Sequence, residues 1–387
     1  MNLLIVTYKA DISGGSNRAM LEVIDMLLKR QHKITLLVPK KQGGLYEEAR
    51  KRGFDCFYVP YTRVGMVCPN DKIASALNQI TMELKLLHDH ILAWQIGRKL
   101  KNNHFDLIYS NGSATHFGRI ISKVLHCPHV WHVREFFGDN QLLPINAYNR
   151  MKNRTDKFIV ISNSMKDRYD SKLGNEKVIM ISDGMACAPQ LTKKVHKGFN
   201  ILLAGRIAPA KNQLDAVMAL EYLEKQFIDT DLVAKLFLAG GPVTSGDENY
   251  ESLIKNYIKE RGLEEKIVFL GEVKDMAELR TTMDVELMCS ECEPFGRVTL
   301  EGMRAGLPVI GTSSGGTLDI IKENVSGLFY SPGDVKELSS KLYTLQKNPK
   351  YLRELSASAQ EYGQTHFTEV QLEKVVNLIE EMFEEIN

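Results

Sequence analysis

Residues 290–316, SECEPFGRVTLEGMRAGLPVIGTSSGG, bring two carboxylates, a guanidinium and a glycine into one short span. Glu293 and Glu301 lie eight apart, and Pro294, Phe295, Gly296 and Arg297 follow the first of them. Pro294 and Gly296 resist helix, whereas 298–305 has helical spacing through Val298, Leu300 and Met303. The pattern therefore predicts a loop that hands over to a helix near Gly296. Such a junction offers unpaired backbone N–H groups and the positive end of a helix dipole, which suits a phosphate. Arg297 adds a forked donor beside it. Glu301, about one turn in, can accept hydrogen bonds from ribose-like hydroxyls, and Glu293 can face whatever lies beyond the phosphate. Polyols on both sides of a diphosphate describe a nucleotide sugar. Residues 307–310 then read as a short buried strand, and 311–316 as a small-residue loop.

A second cation pair lies upstream. In GRIAPAKN (205–212), Arg206 and Lys211 stand five apart between an apolar strand pattern (200–204) and a helical one (213–224), another place for a phosphate. Near the other end of the chain, 2–8 reads as a buried strand, Gly14 and Gly15 as a loop, 17–30 as a helix and 34–38 as a strand. This is a doubly wound unit without the G-x-G-x-x-G fingerprint. Strand 106–110 runs into Asn111-Gly112-Ser113. The segment PHVWHVRE (128–135) reads as a strand whose polar end carries His132, Arg134 and Glu135, at the strand terminus where open α/β sheets hold ligands.

The E-x7-E spacing with PFG and EGMRAGLPVIG, together with G-R-x-x-x-x-K-N at 205–212, resembles the retaining GT-B glycosyltransferases of glycosyltransferase family four, also called glycosyl transferases group 1. The resemblance implies an α/β chain of two Rossmann-like doubly wound domains facing a central cleft. Residues 1–190 would bind the acceptor, residues 198–367 the nucleotide sugar, and a terminal helix (368–387) would pack back on the first domain. Arg206 and Lys211 would hold the donor diphosphate without a metal or other cofactor, and His132 would hydrogen-bond the donor sugar beside Glu293. Gly15 is implied near the donor phosphate, with Phe295, Gly296, Arg297, Val298 and Glu301 also around the donor. Val273, with Met276, would wall the base. Ser16, Asn111, Arg134 and Glu135 fall on the acceptor side. The chain departs from the family at Asp183-Gly184-Met185, where relatives carry N-G-[VI].

The implied reaction is transfer, with retention, from a nucleotide-diphosphate sugar, UDP being favoured, to a hydroxyl of a bacterial surface polysaccharide or lipid-linked glycan. A glycoside hydrolase could use two glutamates but has no need of the phosphate-binding cations. A nucleotide-sugar epimerase of the same fold would need a general base, with His132 as candidate. A non-catalytic nucleotide-sugar-binding protein is a further alternative. Asp229-Thr230-Asp231 has the spacing of a metal-holding DxD, but its place between a helix and a strand reads as a surface turn.

The 387 residues suit two domains. The net charge of +1 conceals +13 over residues 1–200 and −12 over 201–387, which suggests different partners for the two parts. The six cysteines are scattered, and Cys289-x-x-Cys292 lacks a second pair for zinc. MNLLIVTY is a strand pattern rather than a secretory signal, so a cytoplasmic protein with reduced thiols is expected, with no nucleic-acid partner. Over 71–101, Ile73, Leu77, Ile80, Leu84, Leu87, Ile91 and Trp94 form a stripe that reads as a helix covering the sheet. Contact with an anionic inner membrane surface is the alternative. Residues 62–70 read as loop and 57–60 as a strand.

Overall fold

The structure, a computed structural model, describes residues 1–12, 14–67, 71–137, 141–186, 191–226 and 233–385. The DxD at 229–231 lies outside them. The chain forms two compact units, residues 1–186 with 368–387, and residues 187–367.

Unit 1 carries seven parallel strands: β1 (Asn2–Thr7), β2 (Lys33–Val38), β3 (Asp55–Tyr58), β4 (Leu107–Asn111), β5 (His129–Val133), β6 (Lys157–Val160) and β7 (Val178–Met180). Their order is β3–β2–β1–β4–β5–β6–β7, so the winding reverses between β1 and β4. Apart from the edge strand β3, these strands are near-continuous apolar runs, as a parallel sheet with helices on both faces requires. Strand β3 begins two residues earlier than the apolar pattern suggested, because its side chains are largely exposed and leave no burial signal. Within the expected loop, Met66–Val67 pairs antiparallel with Gln141–Leu142. After Thr368 the helix Glu369–Glu384 packs Leu372, Val375, Val376 and Ile379 into the same core as Met20, Ile24 and Leu27 of the helix Gly15–Lys29. Its Glu380 accepts from Arg30 and lies 2.8 Å from His32 Nε2.

Unit 2 carries six parallel strands: β8 (Phe199–Ala204), β9 (Ala234–Ala239), β10 (Ile267–Gly271), β11 (Val285–Met288), β12 (Val309–Thr312) and β13 (Gly327–Tyr330). The order is β10–β9–β8–β11–β12–β13, with the reversal between β8 and β11. Each unit is thus Rossmann-like. Ligands in such sheets bind at the carboxyl ends of the strands flanking the reversal.

The helix Lys72–Leu100 corrects the sequence reading. Its seven-residue stripe does not cover the sheet: Ile73, Leu77, Ile80, Leu84, Leu87, Ile91 and Trp94 are all between 54% and 72% exposed. A different face is buried. Leu92 and Ala93 join Phe117, Ile120 and Ile121, while Met82 and Leu86 pack on Val64 and Leu142. The helix is apolar on two sides, and the more regular stripe in the sequence is the outward one.

Asp89 pins the inward face. Its carboxylate is fully buried and accepts the Thr62 N–H at 3.2 and 3.1 Å and the Thr62 hydroxyl at 3.1 Å. Burial pushes it from 3.8 up to about 6, against the opposing Thr62 hydrogen bonds and the more distant His88 and Arg119. A carboxyl that holds its proton more tightly folded than unfolded stabilises the fold fully below its unfolded value, and that contribution is lost as pH rises through about 6. Relative to Asp89→Asn, the wild-type unfolding free energy should therefore rise by about 2–3 kcal/mol between pH 7.5 and pH 4. Chemical denaturation across that range checks this, and parallel pH profiles would contradict it.

Candidate active site

In unit 2, both cation-bearing motifs arrive at the reversal point. Strand β8 ends at Ala204 and passes into Gly205 and Arg206, whose side chain is half exposed with Nε 3.8 Å from Asp247. A single 3-10 turn, Pro209–Lys211, then points Lys211 across to the loop after β11, where Nζ meets Glu293 Oε2 at 2.5 Å. The two residues are 82 positions apart. The Glu293 carbonyl accepts the Gly316 N–H at 2.7 Å, which ties this loop to the small-residue loop after β12.

Gly296 caps the helix Arg297–Arg304 with φ +98°, a left-handed conformation that glycine adopts at little cost. No side chain caps this helix, nor the helix that begins at Gly15. By contrast, Thr244, Asp334, Asn348 and Thr368 cap theirs. The helices after Gly14 and Gly296 thus leave first-turn backbone donors without a side-chain cap, as do those after Gly43, Thr115 and Gly316. Arg297 opens its helix half-buried. Phe295 differs from expectation. Its ring is 2% exposed and packs edge-on against Phe367 at 5.6 Å, so it braces the loop and leaves only backbone to meet a ligand. Val298 and Val273 share one apolar cluster with Met276 and Leu202.

Glu301 is held by a buried network that sequence reasoning missed. Arg280 donates from Nη1 to Glu301 at 3.1 Å and, as a fork, to both oxygens of Glu286 at 2.9 and 3.0 Å. Burial pushes the Glu286 carboxyl up, with Arg280 pulling it back. The Arg280 guanidinium is held protonated by Glu286 and then Glu301, against its own burial. The available signal was Glu286 itself, a lone charge in the strand VELM. Gly302 makes room for this network, since a Cβ there would lie 2.4 Å from Glu286 Oε2. Gly302→Ala should accordingly cost about 1–3 kcal/mol of stability, as overpacking does, and should weaken nucleotide binding through Glu301. An unchanged melting temperature would contradict this.

In unit 1, the corresponding ends of β1, β4 and β5 carry a buried polar cluster. Asn111 donates from Nδ2 to the Ser16 carbonyl and hydroxyl and to Asn17 Oδ1, each at 3.3 Å, and accepts from Arg134 Nε at 2.8 Å. This ties the start of the Gly15–Lys29 helix to β4. Arg134 is not an acceptor-facing group. Its side chain is 2% exposed and ion-paired with Asp183. A carboxylate there balances a guanidinium that burial would otherwise leave uncompensated.

His132 is 1% exposed, and burial, then Arg134, holds its imidazole neutral, well below its ordinary range. Arg134 Nη2 lies 3.2 Å from Nδ1 and can only donate, so Nδ1 accepts from it and from the Tyr109 hydroxyl at 2.5 Å. The ring proton is therefore on Nε2, a buried N–H that finds no hydrogen-bond partner among the described residues. Such a donor is costly to leave unpaired, and it fits a ligand oxygen. Glu135 accepts from the Tyr8 hydroxyl at 2.6 Å and the Ser113 N–H at 2.7 Å. It lines a pocket of about 90 Å³ with Tyr8, Arg63 and Phe137.

Cys289 and Cys292 sit in unlike environments, the first buried with its thiol pushed up to about 12 by burial, the second exposed. Among the described residues, no group of three His, Cys, Asp or Glu side chains could hold a metal ion, and no helix is long and apolar enough to cross a membrane.

Comparison with known proteins adds two family models, Glycosyltransferase Family 4 over residues 13–186 and Glycosyl transferases group 1 over residues 189–364. The chain is 30% identical over 159 residues to N-acetyl-alpha-D-glucosaminyl L-malate synthase of Bacillus anthracis. The match takes in 41% of this chain and 39% of that protein, so the chain spans about two fifths of that relative's length. Its structure is similar to that of HepE from Anabaena in complex with UDP, with TM-score 0.78, 19% identity, and 98% and 100% of the two chains covered. HepE is also known with UDP-glucose. Sucrose-phosphate synthase from Thermosynechococcus elongatus gives TM-score 0.75 at 16% identity, with both chains covered in full. The structural likenesses show the fold, GT-B.

Proposed function

The chain belongs to the family 4, group 1 glycosyltransferases, and on that premise we propose that it transfers a sugar, with retention, from a nucleotide-diphosphate sugar to an acceptor hydroxyl. UDP is the favoured nucleotide, a choice supported by the UDP complexes of HepE. The observation that carries the reading is the Lys211–Glu293 contact, which joins two motifs at the ligand-binding end of the unit 2 sheet. Arg206, Lys211 and the uncapped N–H groups after Gly296 would meet the diphosphate. As the sugar departs, negative charge grows on the leaving phosphate, and preorganised cations stabilise that charge more than the ground state. They do so here without a metal or other cofactor. Glu301, oriented by Arg280, would accept from the ribose hydroxyls.

Unit 1 would supply the sugar and acceptor contacts. His132 Nε2–H would donate to a sugar hydroxyl, and the acceptor hydroxyl would give its proton to the departing phosphate on the same face. This tautomer disfavours the epimerase reading, because Nδ1 already accepts two hydrogen bonds and Nε2 already carries a proton. Hydrolysis is disfavoured because each glutamate of the E-x7-E pair is matched to a cation. A glycan or lipid-linked acceptor in surface polysaccharide synthesis fits the reading, and a lipid-linked one would bring the basic N-terminal part to an anionic membrane surface in the cytoplasm.

Incubating the enzyme with a panel of UDP-sugars and following the anomeric proton of the product by NMR tests the proposal. Transfer with the donor's anomeric configuration is expected. Inversion, or epimerised donor without transfer, would overturn it. In the same assay His132→Ala should leave UDP affinity within about 3-fold and lower turnover by about 10²-fold. Full activity would remove His132 from the site.

A further inference from the structure

The outward stripe of the Lys72–Leu100 helix has a strict rhythm. Leu77, Leu84 and Ile91 form one row, Ile80, Leu87 and Trp94 the other, and steps of four and three alternate from Ile73 onward. A sustained 3.5-residue period is the signature of a coiled-coil seam, whereas a helix that merely covers a sheet follows a broader 3.6-residue period. Here the buried face and the seam are distinct, and Asp89, Leu92 and Ala93 fix the helix so that the seam points to solvent.

The exposed area is that of an interface. Seven large side chains, each more than half exposed, present roughly 700 Å², above the 300–600 Å² of the largest patch on a typical monomer. About 800 Å² per partner makes a standard protein–protein interface. Lipid fits the flanks less well. A helix lying on an anionic membrane carries Lys and Arg along the borders of its apolar face. The flanking positions along the seam, Ala76, Thr81, Glu83, His88, His90 and Gln95, hold no Lys or Arg, and the cations gather at its C-terminal end, where Arg98 stacks on Trp94 at 4.8 Å.

We propose that this seam is a self-association surface on which a second copy of the chain docks its own 72–100 helix, antiparallel, around a two-fold axis near Leu84. The ends of the helix select the direction. Asp71 sits at the N-terminus, while Arg98, Lys99 and Lys101 cluster at the C-terminus. Parallel pairing would set two cationic ends side by side. Antiparallel pairing sets each beside the other copy's Asp71 and opposes the helix dipoles. Leu77 then faces Ile91, and Ile73 faces Trp94.

Sedimentation velocity on the full chain at micromolar concentration is the test. The wild type should run as a dimer with a concentration-dependent melting temperature, and Leu84→Glu as a monomer whose melting temperature does not vary with concentration and whose UDP affinity is unchanged. Mild oxidation should cross-link Leu84→Cys into a covalent dimer and leave Leu77→Cys unlinked, a readout that stands even if the charged variant fails to fold. A wild-type monomer overturns the proposal. If that monomer floats with phosphatidylglycerol vesicles and Leu84→Glu does not, the seam serves lipid instead. A dimer untouched by Leu84→Glu, or equal cross-linking at positions 77 and 84, also overturns it.

Discussion

Replacing Lys211 by alanine is expected to lower kcat/KM for sugar transfer by about 10²–10³-fold, or roughly 3–4 kcal/mol of transition-state stabilisation. Two losses combine. In the proposed site the diphosphate would lose one of its two cations, and Glu293, whose carboxylate is only 17% exposed, would face the phosphate charge without its Lys211 partner. Both effects grow as the leaving phosphate gains charge, so kcat should fall along with nucleotide affinity. The ion pair itself, with Lys211 27% exposed, contributes little to folding, and the melting temperature should stay within a few degrees. Steady-state kinetics beside a thermal scan separates a chemical role from a structural one. A variant of full activity would remove Lys211 from the site, and one that unfolds would make it a structural residue.

Asp183→Ala should have the largest effect on stability, about 3–5 kcal/mol in urea unfolding of unit 1. The loss would come from stranding the Arg134 guanidinium, which is 2% exposed and held protonated chiefly by Asp183 against its own burial. The damage should spread to function. Arg134 also orders Asn111, which binds the start of the Gly15–Lys29 helix, and His132, whose tautomer it helps set. Asp183→Asn should cost less, because an acceptor remains. Removing both charges, with Arg134→Met and Asp183→Leu together, should recover much of the stability while the histidine stays misoriented. If Asp183→Ala unfolds at the wild-type urea midpoint, the pair carries no such weight.

The alternation of apolar strands and helices was legible along the chain because parallel strands buried on both faces leave long hydrophobic runs. The GT-B fold followed from the motifs that punctuate those runs. The meeting of the Arg206–Lys211 motif with the Glu293–Gly296 loop was legible for a related reason, since the phosphate site proposed for them would demand particular residue types at strand ends. What stayed hidden depends on pairing across sequence distance. Nothing local shows that Arg280 forks onto Glu286 to orient Glu301, or that Asp183 balances Arg134 49 positions away. Phe295 and Arg134 looked like ligand contacts because they sit within motifs, yet both are spent inside the protein. The 72–100 helix misled in another way. Periodicity reveals an apolar face but not which neighbour covers it, and here the interleaved set of Met82, Leu86, Leu92 and Ala93 faces the core.

The proposed nucleotide diphosphate site in unit 2, built on Arg206 and Lys211, should work without a metal. Calorimetric titration of the full chain with UDP in EDTA, then with magnesium, tests it most directly, with GDP, ADP and dTDP as comparisons. One-site binding of UDP is expected in EDTA, little changed by magnesium and weakened at least about 10-fold, or 1.4 kcal/mol, by Lys211→Ala. Binding that appears only with magnesium, or that survives Lys211→Ala undiminished, would contradict it.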